Sequence, residues 1–366
     1  MKSKFLNVCL VAGALSMMHA CDLDYEILNP VDLTQTGKTA EYYENLRNWK
    51  KSDHEVTFGW YGNWTGGGAS LENSMMGLPD SVDFVSIWGN WQNPGEDRLN
   101  DLRQVRALKG TRAMVCCLVM DCGDGVTPPM TKEQEEKYGK DWKAYRHDFW
   151  GWGETLEEKV AASKKYANAI LDTIAKYDYD GFDIDAEPNY AQPFATDYEM
   201  WRHDPAIMDA FVETLAAKLG PKSGTDKLFV VDGEPYEINP KYADCFNYYI
   251  LQAYGNDSHS SLNSKIGRTV NAFKDVMPVE EITKKIIVCE NFENWASSGG
   301  VNYILPNGEV VPSLIGFALW EPVLNGKQYR KGGVGSFHME YEYNPGKPVS
   351  YPALRQAIQI MNPSVK

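Results

Sequence analysis

Short apolar runs recur along this chain, and most are followed by a stretch in which apolar residues return at helical spacing. The runs fall at residues 56–60, 84–88, 113–120, 181–186, 228–231, 248–253, 286–289 and 315–320. Several are apolar throughout instead of alternating, the pattern of parallel strands covered on both faces. Residues 98–108, 155–177, 205–219 and 261–277 predict helices between them, and 351–361 predicts a closing one. The 155–177 stretch is the clearest. Leu156, Val160, Ala167, Ile170, Leu171 and Ile174 make one stripe, and Thr155-Leu156-Glu157-Glu158 has the form of a capping box. Eight strands alternating with helices is the number that closes a (β/α)8 TIM barrel, so we expect a single α/β domain over residues 51–366. A doubly wound open sheet is the alternative. Two stretches fit this scheme badly. Residues 65–79 lack helical periodicity, and residues 332–343 (GGVGSFHMEYEY) alternate like a strand, either the true last strand or a hairpin beside it.

The first residues belong to a different kind of segment. Lys2 and Lys4 precede an apolar stretch over 5–18, too short to span a membrane, which ends in Met18-His19-Ala20-Cys21. That arrangement resembles a bacterial lipoprotein signal over residues 1–21, with Cys21 as the lipidated first residue of the mature chain. Ordinary signal-peptidase cleavage nearby is the alternative. Residues 22–50 are expected to form a tether, and the protein to be exported and held by its N-terminal lipid at the surface of a Gram-negative outer membrane. Loss of residues 1–21 removes two of 36 basic residues and none of 50 acidic ones, taking the net charge from −14 to −16. Such a surface disfavours a nucleic-acid partner. Cys116, Cys117, Cys122, Cys245 and Cys289 form an odd set without metal-ligand or paired-disulfide spacing, and read as buried free thiols.

The candidate chemistry lies in Tyr179-Asp180-Gly181-Phe182-Asp183-Ile184-Asp185-Ala186-Glu187-Pro188. Side chains alternate along a strand, so Asp183, Asp185 and Glu187 share one face and Phe182, Ile184 and Ala186 the other. In a barrel the acids point inward, with Glu187 nearest the C-terminal mouth where such folds do their chemistry. Carboxylates spaced by about 6.6 Å in an interior repel one another and lose hydration, so the row should retain a proton, as a general acid at neutral pH requires. A solvated edge strand and a magnesium site are the competing readings. Residues 180–187 match at every fixed position the D-G-x-D-x-D-x-E strand of glycoside hydrolase family 18, and the chain resembles that family. The resemblance implies a TIM barrel and cleavage at N-acetylglucosamine without metal, cofactor or protein nucleophile, the substrate's own acetamido carbonyl attacking the anomeric carbon. It makes Glu187 the acid/base, Asp185 the group that holds the acetamido N–H, and Asp183 the support of Asp185. Asp180 falls off that face by parity.

Other strands add to the resemblance. Leu251-Gln252-Ala253-Tyr254-Gly255 is similar to the family's sixth strand, which implies that Tyr254 contacts the acetamido oxygen with Gln252 facing the same way. Chitinases of the family commonly carry Met-x-Tyr-Asp there, and the Gln resembles the endo-β-N-acetylglucosaminidase branch instead. Residues 316–321 are similar to the eighth strand, whose terminal Trp320 would form the floor under the cleaved sugar. Trp60 and Trp88 are further candidates for sugar contact, among aromatic clusters that also include Tyr61, Trp64, Trp91 and the Phe149-Trp150-Gly151-Trp152 stretch. We therefore expect an endo-β-N-acetylglucosaminidase acting on N-linked glycans. A chitinase and a non-catalytic surface glycan-binding lipoprotein are the rivals.

Overall fold

The computed structural model describes residues 37–190, 197–344 and 349–363. The signal-like segment 1–21, Cys21 and the first part of the tether lie outside them. Eight parallel strands close into a barrel: β1 (Val56–Tyr61), β2 (Phe84–Trp88), β3 (Arg112–Leu118), β4 (Gly181–Ala186), β5 (Leu228–Gly233), β6 (Tyr248–Gln252), β7 (Ile286–Asn291) and β8 (Gly333–Phe337). Each pairs with its neighbours in sequence, and β8 closes the ring on β1. The expected TIM barrel is the fold.

The eighth strand and the N-terminal edge of the domain differ from expectation. Residues 315–320 are not the eighth strand; Ser313–Leu319 is a helix, buried along nearly its whole length. A short run that is apolar on every side looks the same in sequence whether it is a buried strand or a buried helix. The ammonium of buried Lys331 ends this helix, donating to the carbonyls of Ala318 (3.0 Å) and Trp320 (2.8 Å). The true last strand is Gly-Val-Gly-Ser-Phe, and its glycines hide it: a Cβ on Gly333 would lie 2.0 Å from the Val56 carbonyl oxygen. Close strand approach requires these residues, yet they have low strand propensity. Within the supposed tether 22–50, residues Ala40–Trp49 form a helix instead. It buries Tyr43 and Leu46, and the following Lys50 donates to Thr111 Oγ1 at 2.9 Å.

The poorly periodic stretch 65–79 holds only a single 3-10 turn, Met75–Gly77. Buried Asp101 organises it, accepting from Trp64 Nε1 and Met75 N (both 2.8 Å) and Ser74 Oγ (2.6 Å). Elsewhere the helix Leu156–Tyr177 begins with its capping box in place. Its buried Ala167, Ile170 and Ile174 join the outer core together with Phe182, Ile184 and Ala186 of β4. Each such large side chain removed from water contributes about 1.5–3 kcal/mol. Inside the barrel Val56, Phe58, Phe84, Met114, Val230, Ile250 and Ile287 form an apolar plug. The plug fills the lower barrel, so the acids of β4 stand above it.

Candidate active site

The start of β4 is fixed by its own motif. Asp180 Oδ2 accepts from Ala113 N (2.8 Å) and Arg106 Nη2 (3.0 Å), locking β4 to β3, so it is structural as its parity suggested. Gly181 has φ +155, and a Cβ there would lie 2.1 Å from the Leu228 carbonyl oxygen. From that anchor the chain alternates. Asp183 is fully buried, while Asp185 and Glu187 are half-buried and line a hollow of about 580 Å³ at the C-terminal end of the strands. That volume is ordinary for a ligand pocket.

A second carboxylate strand adjoins the first. Asp232 of β5 lies opposite Asp185 in register, and its buried side chain lines the same hollow. Sequence reasoning ended that strand two residues early, at Val231, and missed it. The inward parity of Leu228, Val230 and Asp232 was the available signal. Ser86, also missed, donates to Asp183 Oδ2 at 2.6 Å. Gln252 Nε2 donates to Glu187 Oε1 (2.6 Å) and to Asp232 Oδ1 (3.2 Å). Gly233, at φ +75, leaves room for Glu187, whose Cγ would lie 3.1 Å from a Cβ there.

Burial pushes up the carboxyl groups of Asp183, Asp185, Asp232 and Glu187 alike. For Asp185 the charges of Glu187 and Asp183 add to desolvation, and for Asp232 those of Asp185 and Asp183 do. Asp183 and Asp185 each keep one buried oxygen that accepts no hydrogen bond. A carboxylate only accepts, and a carboxylic acid donates, so a proton shared among these groups satisfies both the charge and the geometry. For Glu187, the Gln252 hydrogen bond and the Lys265 charge work against desolvation, and Glu234 adds to it. The donor atoms of Cys116, Asp185 and Asp232 lie within 4.8 Å of one another. The thiol of Cys116 is a soft ligand in that set, unlike the all-oxygen shells that hard cations such as magnesium favour.

The walls are aromatic. Trp60, Trp88, Trp91, Tyr254 and Phe337 all line the hollow. Phe337, the last residue of β8, has its ring centroid 6.2 Å from Trp60, 5.5 Å from Trp88 and 6.2 Å from Tyr254. Trp320 does not take part. It is fully buried in the outer core, with Nε1 donating to Asn263 Oδ1 at 3.0 Å, because the residues before it are a helix and not a strand. Phe337 stands where that strand end was expected. Trp64, Trp150 and Trp152 are core as well. Tyr254 follows β6 in a loop held by buried Glu290, whose Oε1 accepts from Gly255 N at 3.0 Å.

Residues 26–360 match the family described as glycoside hydrolase family 18, BT1044-like. The chain belongs to glycoside hydrolase family 18. This family 18 enzyme is 26% identical over 334 residues to endo-beta-N-acetylglucosaminidase F2 of Elizabethkingia meningoseptica, covering 87% of this chain and 85% of that one. Its fold overlays a solved BT1044 variant with a TM-score of 0.73 at 31% identity, over 91% of this chain and 98% of the other. The endo-beta-N-acetylglucosaminidase from Cordyceps militaris in apo form overlays with a TM-score of 0.59 at 22% identity, over 89% and 97% of the two chains. The family 18 resemblance drawn from residues 180–187 holds, and the protein is a glycoside hydrolase acting on glycans.

Proposed function

We propose that this hydrolase is an endo-β-N-acetylglucosaminidase, cutting the β-1,4 bond of the N,N'-diacetylchitobiose core of N-linked glycans with retention of configuration. One observation carries the reading: Glu187 stands at the rim of a sugar-sized hollow, with Asp185, Asp183 and Asp232 ranked behind it, their carboxyl groups pushed up by burial. Glu187 protonates the departing oxygen and then draws a proton from water. Asp185 accepts from the substrate's acetamido N–H and so aims its carbonyl oxygen at the anomeric carbon. The resulting oxazolinium carries positive charge, which the acid row steadies. Asp183 and Asp232 act through Asp185 by sharing its proton. Tyr254 donates toward the acetamido oxygen, and Trp60, Trp88 and Phe337 hold the apolar faces of the sugar. The branch rests on the amide of Gln252 and on the F2 relative.

Mass spectrometry of products from an N-glycoprotein and from chitin oligomers tests it. Release of a glycan that leaves one N-acetylglucosamine on the protein is expected. Cleavage of chitin oligomers alone would make it a chitinase, and sugar binding without turnover a non-catalytic binder. The proposal extends to location: a surface lipoprotein acylated at Cys21. Metabolic labelling with a fatty acid is expected to mark the chain and to fail in Cys21→Ser; label retained by the variant would exclude that anchor.

A further inference from the structure

Glu187 stands between two hollows. One is the aromatic hollow already described. The other is a cavity of about 440 Å³ that shares Glu187 and Gln252 and is bounded by Glu234, Tyr236, Lys265 and Arg268. Lys265 and Arg268 come from one face of the helix His259–Phe273, three residues apart. The acids of this cavity are already engaged. Glu234 accepts from Asn189 N (2.7 Å), Asn189 Nδ2 (3.0 Å) and the Tyr236 hydroxyl, and Glu187 accepts from Gln252. Arg268 Nη1 donates to the Tyr236 hydroxyl at 3.2 Å, and its guanidinium also meets the Tyr190 hydroxyl, so its partners there are neutral. Lys265 is half-buried, and no hydrogen bond or ion pair holds its ammonium among the described residues. Burial and the neighbouring Arg268 charge keep it below the ordinary lysine range. Glu234 and Glu187 offset part of that cost from a distance without pairing with the ammonium, and an anion in direct contact with Lys265 and Arg268 would offset more.

We propose that this cavity receives the departing side of the substrate and that Lys265 and Arg268 there bind an anion, a carboxylate, sulfate ester or phosphate ester. The anion is carried on the departing sugar or on the polypeptide attached to it. This rests on the reading of Glu187 as the acid that protonates the leaving oxygen. A proton donor set between two hollows serves a bond that spans them, so the hollow with Asp185 holds the sugar attacked and the cationic cavity holds what leaves.

The test uses three glycopeptides: one with neutral flanks, one with Asp beside the glycosylated Asn, and one with neutral flanks and a 6-sulfated reducing-end sugar. Charge-assisted hydrogen bonds predict a kcat/KM at least about tenfold higher on one or both acidic substrates. The substrate that gains tells where the anion sits. The preference is expected to vanish in the Lys265→Ala/Arg268→Ala double variant and to survive Lys265→Arg. Equal rates on all three, or a preference that outlives the double variant, would overturn the proposal. Calorimetry on Glu187→Gln protein with N-acetylglucosaminyl-Asn, its 6-sulfate and its Asp-extended dipeptide reads the site without turnover. If no glycopeptide is cleaved, the functional reading fails while this titration still decides whether the cavity takes an anion; indifference to charge there would reject it.

Discussion

Gln252, the last residue of β6, donates one side-chain amide group to both Glu187 and Asp232, at 2.6 and 3.2 Å. Both acceptors have carboxyl groups pushed up by burial, and at Glu187 the amide is the chief opposing influence because it stabilises the charged form. Replacing it by Leu removes that influence. The folded-state pKa of Glu187 then rises further, and a general acid active when protonated keeps its proton to higher pH. We expect the alkaline limb of the kcat profile to move upward in Gln252→Leu, with a lower plateau because Glu187 loses its orientation. A limb that stays in place would show that another group controls it.

Glu187 and Asp185 are expected to separate by the step each serves. Glu187→Gln keeps the shape and removes the transferable proton, so kcat should fall by on the order of 10³ with glycan binding retained. Asp185→Asn loses the negative charge that matters once the oxazolinium forms, so kcat should fall with KM little changed. Steady-state kinetics with calorimetric binding reads both. A Glu187→Gln protein that still turns over would remove Glu187 from its role.

Much of this site was legible because the acids lie in one continuous strand. Parity alone placed Phe182, Ile184 and Ala186 outward and Asp183, Asp185 and Glu187 inward, and the structure places them so. What comes from other strands was harder to see. Asp232 is a single acid ending an apolar run, and Ser86 is a small polar residue in an apolar strand. Their importance lies in register across strands, which no local pattern reports. β8 failed for the opposite reason. The close packing that demands Gly333 and Gly335 erases the strand signature, while the buried helix Ser313–Leu319 imitates one.

The acid cluster should also leave a mark on stability. Asp232 has a folded-state pKa well above its ordinary value, so the folded state favours its protonated form. Its contribution therefore falls as pH rises from about 4, the ordinary carboxylate pKa, through the raised folded value. Asp232→Asn cannot ionise and escapes this loss. The Tm of the variant minus that of the wild type should increase steadily between pH 4 and pH 8, read by calorimetry at fixed ionic strength. A difference independent of pH would mean that Asp232 is not held protonated.

Phe337 and Trp320 offer a direct contrast between a ring that faces the sugar and one that holds the fold. Phe337 ends β8 against Trp60, Trp88 and Tyr254 in the hollow, whereas Trp320 is sealed in the outer core with its N–H bound to Asn263. Phe337→Ala should lower kcat/KM by about 10–100-fold, in line with loss of an aromatic contact and its apolar area, with a smaller effect on Tm. Trp320→Phe removes the N–H, leaves Asn263 Oδ1 with only the Val323 amide as donor, and opens a small cavity; it should lower the Tm with KM essentially unchanged. Paired thermal melts and kinetics on one glycopeptide make the comparison. If Trp320→Phe raised KM while Phe337→Ala did not, the floor of the site would have to be sought on the other side of the barrel wall.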